Sequence, residues 1–212
     1  MFKMKLCYII GAGKLPLLYI KNNGLIIAAD GGLSKMGKLT PDIAVGDFDS
    51  LGFVPDYKNT VVLPTEKDVT DMRQAVDIGF ENGADTFVLF GGTGGRPDHT
   101  FANYALLSLI CQRGGQAYLI GEGFVATVIE NGVFELPKKS AGTVSGFALE
   151  GKAEGVTLKG LKYPLDDHTL TFSHPLGVSN SFMGEKPHIS VKKGKLLIMW
   201  EENNLKEFVD NL

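Results

Sequence analysis

The chain has 212 residues and a formal net charge of -3, from 21 basic and 24 acidic side chains. Proteins that bind nucleic acid usually carry an excess of Lys and Arg that neutralises phosphate, so this balance argues against a nucleic-acid partner. Hydrophobic residues make up 44% of the chain and charged residues 21%, which is typical of a folded globular protein and not of disordered, collagen-like or coiled-coil chains.

Neither a membrane span nor a secretory signal is expected. The longest apolar runs, 25–29 and 105–111, are far shorter than the roughly 20 residues that a spanning helix needs. The apolar stretch near the N-terminus ends at Gly11, which leaves it too short for a signal segment of at least about 7 apolar residues followed by a cleavage site. The two cysteines, Cys7 and Cys111, lack Cys or His neighbours at zinc-site spacing and are expected to be buried thiols. We therefore expect a cytoplasmic protein with no membrane partner.

Six apolar runs in the first 120 residues predict buried strands, and helical patterns separate them. The runs are 5–10, 25–29, 43–45, 60–63, 86–90 and 116–120. The clearest helix follows the N-cap residue Thr70, since apolar residues recur at spacings of three and four up to Phe80. A second helix is predicted over 97–112, with Pro97 in its first turn. Strands that alternate with helices indicate crossover connections and a mostly parallel sheet.

The helical period disappears after Phe124, and short strands separated by turn residues replace it. The predicted strands are 125–130, 133–136, 143–149, 155–159, 169–173, 188–192 and 195–200, with hairpin turns at 131–132 and 193–194. The sequence therefore predicts an α/β domain with a mostly parallel sheet over 1–124, followed by an all-β antiparallel sandwich domain over 125–212.

Four segments rich in Gly and Asp follow strands of the α/β domain: 11–13, 30–32, 46–50 and 91–99. A single glycine after a strand is usually only a turn that needs a positive φ. Four such loops favour a ligand site, because ligands of an open parallel sheet bind at the carboxyl ends of its strands.

The glycine-rich loop 91–95 is interpreted as a phosphate cradle. Its backbone N–H groups are unobstructed by side chains, and Arg96 adds a planar guanidinium just before a helix begins. His99 either orients Asp98 or a ligand oxygen, or has only a structural role at the helix start. The P-loop pattern Gly-x-x-x-x-Gly-Lys-Ser/Thr is absent, and neither this loop nor 11–13 continues as Gly-x-Gly-x-x-Gly. A P-loop ATPase and an ordinary dinucleotide dehydrogenase are therefore disfavoured.

Asp47 and Asp49 are separated by one residue, so an extended backbone would point both carboxylates to the same side. Carboxylates held so close repel each other unless a cation lies between them, and Mg²⁺ is typically bound through one or two carboxylates and substrate phosphates. Asp71, at the start of the first helix, completes a carboxylate set for Mg²⁺, and Lys67 is placed to reach a phosphate. The competing interpretation is that these acids only cap a turn with Ser50 and the start of the helix.

Taken together, the motifs resemble the thiamine pyrophosphokinase (thiamine diphosphokinase) family, and the match runs in order along nearly the whole chain. The resemblance rests on Asp30-Gly31-Gly32, Pro41-Asp42, Gly46-Asp47-Phe48-Asp49-Ser50, Lys67-Asp68, Thr70-Asp71, Gly94-Gly95-Arg96, Asp98-His99, Asn103, Tyr163-Pro164-Leu165 and Gly177-Val178-Ser179-Asn180. Each piece is common by itself, whereas their co-occurrence in this order is specific.

The resemblance implies an N-terminal domain that binds ATP and Mg²⁺, a C-terminal β-sandwich, and a homodimer. Its active sites would lie between the α/β domain of one subunit and the β domain of the other. The implied reaction transfers the β,γ-pyrophosphoryl group of ATP to the hydroxyl of thiamine and releases AMP.

The resemblance also implies roles for individual residues. The metal ligands would be Asp47, Asp49 and Asp71, which with Lys67 would be the catalytic residues. ATP binding is implied for Asp30, Gly94, Arg96, Asp98 and His99, and thiamine binding for Ser179 and Asn180 of the partner subunit. Either Asp71 or Asp98 would orient the attacking hydroxyl.

The aromatic residue that stacks on the flat, cationic thiamine ring is left open by the sequence. Some members of the family use a tryptophan on the final strand, but the corresponding position here is Ile198 and the only tryptophan is Trp200. Trp200 is interpreted as a core residue, and Phe182 is another candidate platform.

Three other functions agree with parts of the sequence. A kinase of the same chemistry with another acceptor, such as a pterin alcohol, would share the ATP half. A nucleotide-binding regulatory module would have little reason to gather mutually repelling carboxylates. An NAD-dependent oxidoreductase would need the glycine fingerprint that is missing here, although Asp30 lies at a plausible distance from Gly11.

Overall fold

The structure, a computed structural model, describes residues 5–21, 23–49, 51–57, 59–66 and 68–212. It divides into two compact units, which we call the α/β unit and the β unit. The α/β unit runs up to Glu122 and also takes in Asn204–Leu212, and the β unit spans Gly123–Asn203. The structural division thus differs from a single boundary after residue 124, because the chain returns to the α/β unit for its last nine residues.

The α/β unit contains a parallel sheet. Its strands in the described residues are β1 (Leu6–Ile10), β2 (Leu25–Ala29), β3 (Ile43–Gly46), β4 (Thr60–Val62), β5 (Thr86–Phe90) and β6 (Gln116–Gly121). Their order across the sheet is β6-β5-β1-β2-β3-β4, and every pairing is parallel. The residues of β1 and β5 are buried throughout, as expected for strands covered on both faces. The predicted mostly parallel sheet is confirmed.

The strand order places a topological switch point beside β1. From β1 the chain adds β2, β3 and β4 on one side, and later adds β5 and β6 on the other side. In open sheets of this kind, ligands bind at the carboxyl edge beside the switch point. The loops that begin at Gly11 and Gly91 follow β1 and β5.

The helices of the α/β unit begin where the sequence predicts. Helix α1 (Asp71–Glu81) has Thr70 as its N-cap, whose Oγ1 accepts a hydrogen bond from Arg73 N at 3.3 Å. Helix α2 (Pro97–Gln112) begins at the predicted proline. A 3-10 helix, Asp30–Lys35, follows β2 and was not predicted. Within the described part of the chain, no helix has the length and apolar character needed to cross a membrane.

A short C-terminal helix, α3 (Leu205–Asp210), packs on the α/β unit and was also missed by the sequence. Val209 is fully buried, and the rings of Tyr118 and Phe208 meet edge to face with centroids 5.2 Å apart. Tyr19 Oη donates a hydrogen bond to Asp210 Oδ1 at 2.7 Å. These contacts explain why the chain returns to this unit.

The β unit consists of two antiparallel sheets. Its strands are β7 (Phe124–Glu130), β8 (Val133–Glu135), β9 (Thr143–Ala148), β10 (Lys152–Lys159), β11 (Leu165–Thr171), β12 (Gly177–Ser181), β13 (His188–Ser190) and β14 (Lys195–Glu201). One sheet has the order β12-β9-β14-β7 and the other β11-β10-β13-β8. The predicted antiparallel β domain is confirmed.

The predicted hairpin turns at 131–132 and 193–194 are wrong in one respect. Strand β7 pairs with β14, whereas β8 pairs with β13, so both turns carry the chain from one sheet to the other. The two turns bind each other: Asn131 N donates to Gly194 O at 3.2 Å, and Gly194 N donates to Asn131 Oδ1 at 2.8 Å. They therefore form a corner in which two paired strands change sheet together.

Both candidate stacking residues are buried in the β unit. Trp200 is 1% exposed and lies 5.6 Å from Phe134, centroid to centroid, which confirms its interpretation as a core residue. Phe182 is 4% exposed. Neither ring presents a face to solvent in this structure.

Candidate functional site

A cavity of about 720 Å³ lies at the carboxyl edge of the parallel sheet, within the α/β unit. It is lined by the loops after β1, β2, β3 and β5 and by the first residues of α1 and α2. Its size falls in the range of pockets that hold ligands the size of a nucleotide. The predicted site residues that line it are Asp30, Asp47, Asp49, Asp71, Arg96 and His99.

Three carboxylates converge in this cavity. One oxygen from each of Asp30, Asp47 and Asp49 lies within 4.8 Å of the others; Asp30 and Asp47 are half-buried and Asp49 is exposed. Because carboxylate oxygens are hard ligands, such a set suits Mg²⁺, Ca²⁺ or Mn²⁺ rather than zinc or copper. We call these three residues the acidic cluster. Asp30 was predicted as an ATP contact only, whereas the structure places it beside the predicted metal ligands.

The backbone around Phe48 brings Asp47 and Asp49 together, although it is not extended as the sequence suggested. Phe48 has a φ of 58° and is 2% exposed, so its ring anchors the loop in the core. Asp49 N donates a hydrogen bond to Asp47 Oδ1 at 3.2 Å. The acids are therefore held on one side by a tight turn. Ser50, predicted to share this turn, lies outside the described residues.

Asp30 reaches the cluster because the backbones of two neighbouring strands approach closely. It begins the 3-10 helix with a φ of 44°, a conformation that is uncommon for a residue with a side chain. A Cβ at Gly46, the last residue of β3, would lie 3.0 Å from Asp30 Cα. Glycine at this position therefore leaves room for Asp30 beside the loop that carries Asp47.

The glycine loops after β1 and β5 are hydrogen-bonded to each other. Gly11 N donates to Phe90 O at 2.8 Å, and Gly13 N donates to Gly91 O at 2.7 Å. A Cβ at Gly13 would lie 2.4 Å from Gly91 O, so only glycine fits this approach. Asn103 is buried, and its Nδ2 donates to Gly92 O at 2.8 Å, which holds the second loop from α2. Asn103 contributed to the resemblance, but its role in fixing the loop was not predicted.

Arg96 and Asp98 bind each other at the start of α2. Arg96 donates two hydrogen bonds to Asp98, from Nε at 3.2 Å and from Nη2 at 2.6 Å. The paired guanidinium, helped by the backbone N–H of His99, holds the pKa of the Asp98 carboxyl below its usual value. Arg96 and His99 line the cavity, whereas Gly94, in the same loop, has a φ of 73° and lies against the side chain of Lys14.

Two predicted site residues of the α/β unit remain, Asp71 and Lys67. Asp71 lines the cavity as the first residue of α1, and its predicted metal role stays a prediction. Lys67 lies outside the described residues, so its predicted phosphate contact is not located.

Ser179 and Asn180 lie in the β unit, on strand β12. Ser179 is exposed with a φ of 58°, at a bulge between Gly177 and Asn180. Asn180 is 3% exposed and binds the backbone of Tyr163. It also lines a cavity of about 300 Å³ with Tyr163 and Val178, both of which are exposed. Their thiamine contacts stay predictions.

Two family models match the chain. One, described as the thiamin pyrophosphokinase catalytic domain, covers residues 17–119, and the other, described as the thiamin pyrophosphokinase vitamin B1 binding domain, covers 133–196. The first match includes the acidic cluster and the whole of the loop 91–95, and the second includes Ser179 and Asn180.

Individual proteins that are similar to this chain belong to the same family as the two models. Thiamine pyrophosphokinase of Bacillus subtilis (strain 168) is 28% identical over 210 residues, which cover 92% of this chain and 98% of the relative. The crystal structure of thiamine pyrophosphokinase from Bacillus subtilis superposes with a TM-score of 0.84 at 27% identity, over 94% of this chain and 100% of the other. The thiamin pyrophosphokinase structure from Geobacillus thermodenitrificans gives a TM-score of 0.81 at 29% identity, over 93% and 98%. The two family models match the chain one after the other, and the relatives share its fold over almost its full length. The chain therefore belongs to the thiamin pyrophosphokinase family.

Proposed function

We propose that the chain transfers the pyrophosphoryl group of ATP to the hydroxyl of thiamine, giving thiamine diphosphate and AMP, with ATP and Mg²⁺ bound in the cavity of the α/β unit. The observation that carries the proposal is the acidic cluster, which stands at the same sheet edge as the loop 91–95 and Arg96. A cation site beside a phosphate-binding loop is the arrangement that phosphoryl-type transfer needs.

The donor set of the acidic cluster fits Mg²⁺. Asp30, Asp47 and Asp49 supply three oxygens within 4.8 Å of one another, which repel each other unless a cation reduces their charge. Mg²⁺ usually keeps several waters and binds through few carboxylates together with phosphate oxygens, so the partly exposed cluster leaves coordination positions for ATP. When bound, the cation would neutralise charge that develops on the phosphate oxygens.

The protein groups around the cavity position the nucleotide. Loop 91–95 contributes backbone N–H groups at the start of α2, where the helix dipole favours phosphate. Arg96 offers a guanidinium that is already oriented by Asp98. In the reaction the thiamine hydroxyl oxygen bonds to the β-phosphorus and its proton is released to solvent, while the bond from that phosphorus to the α,β-bridging oxygen breaks and AMP leaves with that oxygen.

We assign the orientation of the attacking hydroxyl to Asp71 rather than Asp98. Asp71 lines the cavity at the first residue of α1. Asp98 lies outside the lining of the cavity, and both of its carboxylate oxygens accept hydrogen bonds from Arg96. Asp71 is thus the better placed of the two carboxylates that the sequence left open.

The test is a product assay with purified protein, Mg²⁺, ATP and thiamine that separates AMP from ADP. We expect thiamine-dependent AMP and thiamine diphosphate, and we expect Asp49→Asn to abolish this turnover. Asp56→Asn is the matched control, because Asp56 is exposed and lies outside the lining of the cavity. ADP with thiamine monophosphate would contradict pyrophosphoryl transfer, and turnover only with another alcohol would contradict thiamine as the acceptor.

We also propose a homodimer whose active sites combine the α/β unit of one subunit with the β unit of the other. Exposed apolar residues around the second cavity, including Tyr163, Leu176 and Val178, support a partner surface on the β unit. Mixing inactive Asp49→Asn with inactive Ser179→Lys tests this arrangement. Subunit exchange should restore about a quarter of the wild-type rate, since about half of the dimers are mixed and each mixed dimer has one intact site. A mixture without activity would contradict shared sites.

A cytoplasmic location is proposed on the state of the cysteines. Neither cysteine forms a disulfide: Cys7 is buried as expected, and burial raises its pKa to about 12, whereas Cys111 is only half-buried, which corrects the expectation of two buried thiols. Free thiols are typical of reducing compartments. Cell fractionation with an antibody to the chain checks the proposal.

A further inference from the structure

Lys35 links the 3-10 helix after β2 to the loop after β1. It lies in the last turn of the 3-10 helix that begins with Asp30. Its Nζ donates hydrogen bonds to Ala12 O and to Gly13 O, the second at 2.5 Å. Ala12 and Gly13 line the cavity proposed to hold the nucleotide, and Lys35 belongs to none of the motifs that carry the family resemblance.

Both peptide groups held by Lys35 are also held at their opposite ends. In the Ala12–Gly13 peptide, the carbonyl accepts from Lys35 and the N–H donates to Gly91 O at 2.7 Å. In the next peptide, Gly13 O accepts from Lys35 and Lys14 N donates to Thr93 O at 2.7 Å. The loop after β1 is thus fixed between one ammonium group and the loop after β5.

The helix that carries Lys35 is itself held firmly. A Cβ at Gly32 would lie 2.0 Å from Ile10 O, so the helix backbone packs directly on the end of β1. Ser34 Oγ donates to Gly31 O at 2.8 Å, which closes the turn. Asp30, at the other end of this helix, belongs to the acidic cluster. One rigid segment therefore carries both a cation ligand and the group that orients the loop.

We propose that Lys35 is a positioning residue for ATP, an inference that rests on the proposed function. Its ammonium fixes the orientation of two peptide groups that line the cavity and offsets the negative ends of their carbonyl dipoles. Without it, the two peptides would be held only at their N–H ends, and their oxygens would turn more easily toward the phosphates, which they repel. Hydrogen bonds to charged donors are stronger than neutral ones, so the effect of losing two is large enough to measure.

The experiment compares Lys35→Met, Lys35→Arg and the control Lys38→Met, which removes an exposed lysine just beyond the same helix. Lys35→Met should raise the KM for ATP about tenfold and change kcat less than about threefold, because it alters binding and leaves the reacting groups in place. Lys35→Arg should recover most of the affinity, and Lys38→Met should match the wild type. Melting curves check that each variant is folded.

Amide hydrogen exchange in the ligand-free protein separates this proposal from the proposed function. Lys35→Met should speed exchange at Gly13 and Lys14 about tenfold or more, and leave β1 protected. Titration with α,β-methylene ATP and Mg²⁺ then gives the affinity without turnover. If the wild type makes no thiamine-dependent AMP, the proposed function is wrong. The positioning role of Lys35 is then tested by the amide exchange rates and by the affinity for α,β-methylene ATP. Unchanged exchange, or a fall in kcat alone, would overturn the positioning role.

Discussion

Asn180 holds the backbone of Tyr163 at two points: its Oδ1 accepts a hydrogen bond from Tyr163 N at 2.9 Å, and its Nδ2 donates to Tyr163 O at 2.6 Å. The same Oδ1 accepts from Ser181 N at 2.9 Å. Asn180 therefore joins β12 to the segment before β11. This arrangement gives a structural role to a residue that was predicted only as a thiamine contact.

Replacing Asn180 with Ala should lower the free energy of unfolding by about 2 kcal/mol, because polar groups of a partly buried backbone lose their partners. Urea unfolding of the purified protein measures the change. Asn203→Ala serves as the control, because Asn203 is exposed and its Nδ2 donates an exposed hydrogen bond to Glu201 Oε1. Equal stability of the two variants would contradict the structural role.

Asp30→Asn should lower the apparent affinity for Mg²⁺ by at least about tenfold, because it removes one charged ligand from the acidic cluster. The measurement is the reaction rate as a function of Mg²⁺ at saturating ATP. Excess Mg²⁺ should restore part of the lost rate. If the loss appears only in the KM for ATP and is independent of Mg²⁺, Asp30 is a nucleotide contact, as the sequence first suggested.

Phe48→Ala should destabilise the protein by roughly 3 to 5 kcal/mol, as expected for removal of a buried aromatic ring. It should also weaken Mg²⁺ binding, because the ring anchors the turn that places Asp47 and Asp49 together. Phe48→Leu fills most of the volume and should retain more of both properties. Calorimetric titration with Mg²⁺ and thermal melting report the two effects separately.

Gly13→Ala should disturb the cavity, whereas Gly95→Ala should be tolerated in the free protein. A Cβ at Gly13 would lie within 2.5 Å of the carbonyl oxygens of Gly91 and Thr93, but a Cβ at Gly95 would come no closer than 3.7 Å to Gly13 Cα. We expect a loss of about 1 to 3 kcal/mol of stability for the first change only. Matching melting curves for both variants would show that the loops can separate without cost.

The pKa of Asp98 should rise toward its ordinary value of 3.8 when Arg96 is replaced by Gln. The rise should be partial, because the N–H of His99 still donates to Asp98 Oδ1 at 3.0 Å. Because the pKa of Asp98 is lower in the folded protein than in the unfolded chain, the ionised carboxylate stabilises the fold at pH values above 3.8. This stabilisation is lost as the pH falls through the lowered pKa of the folded protein. Carbon-13 NMR of the carboxyl groups measures the titration, and an unchanged pKa would mean that Arg96 is not its main cause.

The sequence was most informative where strands are fully apolar. The strands of the parallel sheet were predicted to within one residue at their ends, and for most of them burial on both faces leaves continuous apolar runs such as 86–90. The run 60–63 was wrongly expected to be buried, because β4 is the edge strand and its Val61 and Val62 are exposed. Strand β12 is absent from the predicted strands, since Gly177, Ser179 and Asn180 are typical turn residues and a bulge interrupts its pairing. Its partners lie far away in the chain and cannot be deduced from local composition.

The sequence could not predict all members of the acidic cluster, because the third member is set by the order of the strands in the sheet. Asp47 and Asp49 are close in sequence, so their pairing was visible, whereas Asp30 joins them only because β2 and β3 are neighbours in the sheet. Lys35 gave no sequence signal, because a lysine at the end of a helix is common and its partners precede it by more than 20 residues. Contacts of this kind follow from topology rather than from motifs.

The return of residues 204–212 to the α/β unit has a consequence for synthesis of the protein in the cell. All strands of the β unit are translated before α3, so the α/β unit remains incomplete while the entire β unit emerges. During that interval the surface that later covers Val209 is open to solvent. A nascent chain stalled before residue 204 should therefore engage chaperones and proteases more readily than the released protein, with its α/β unit the vulnerable part.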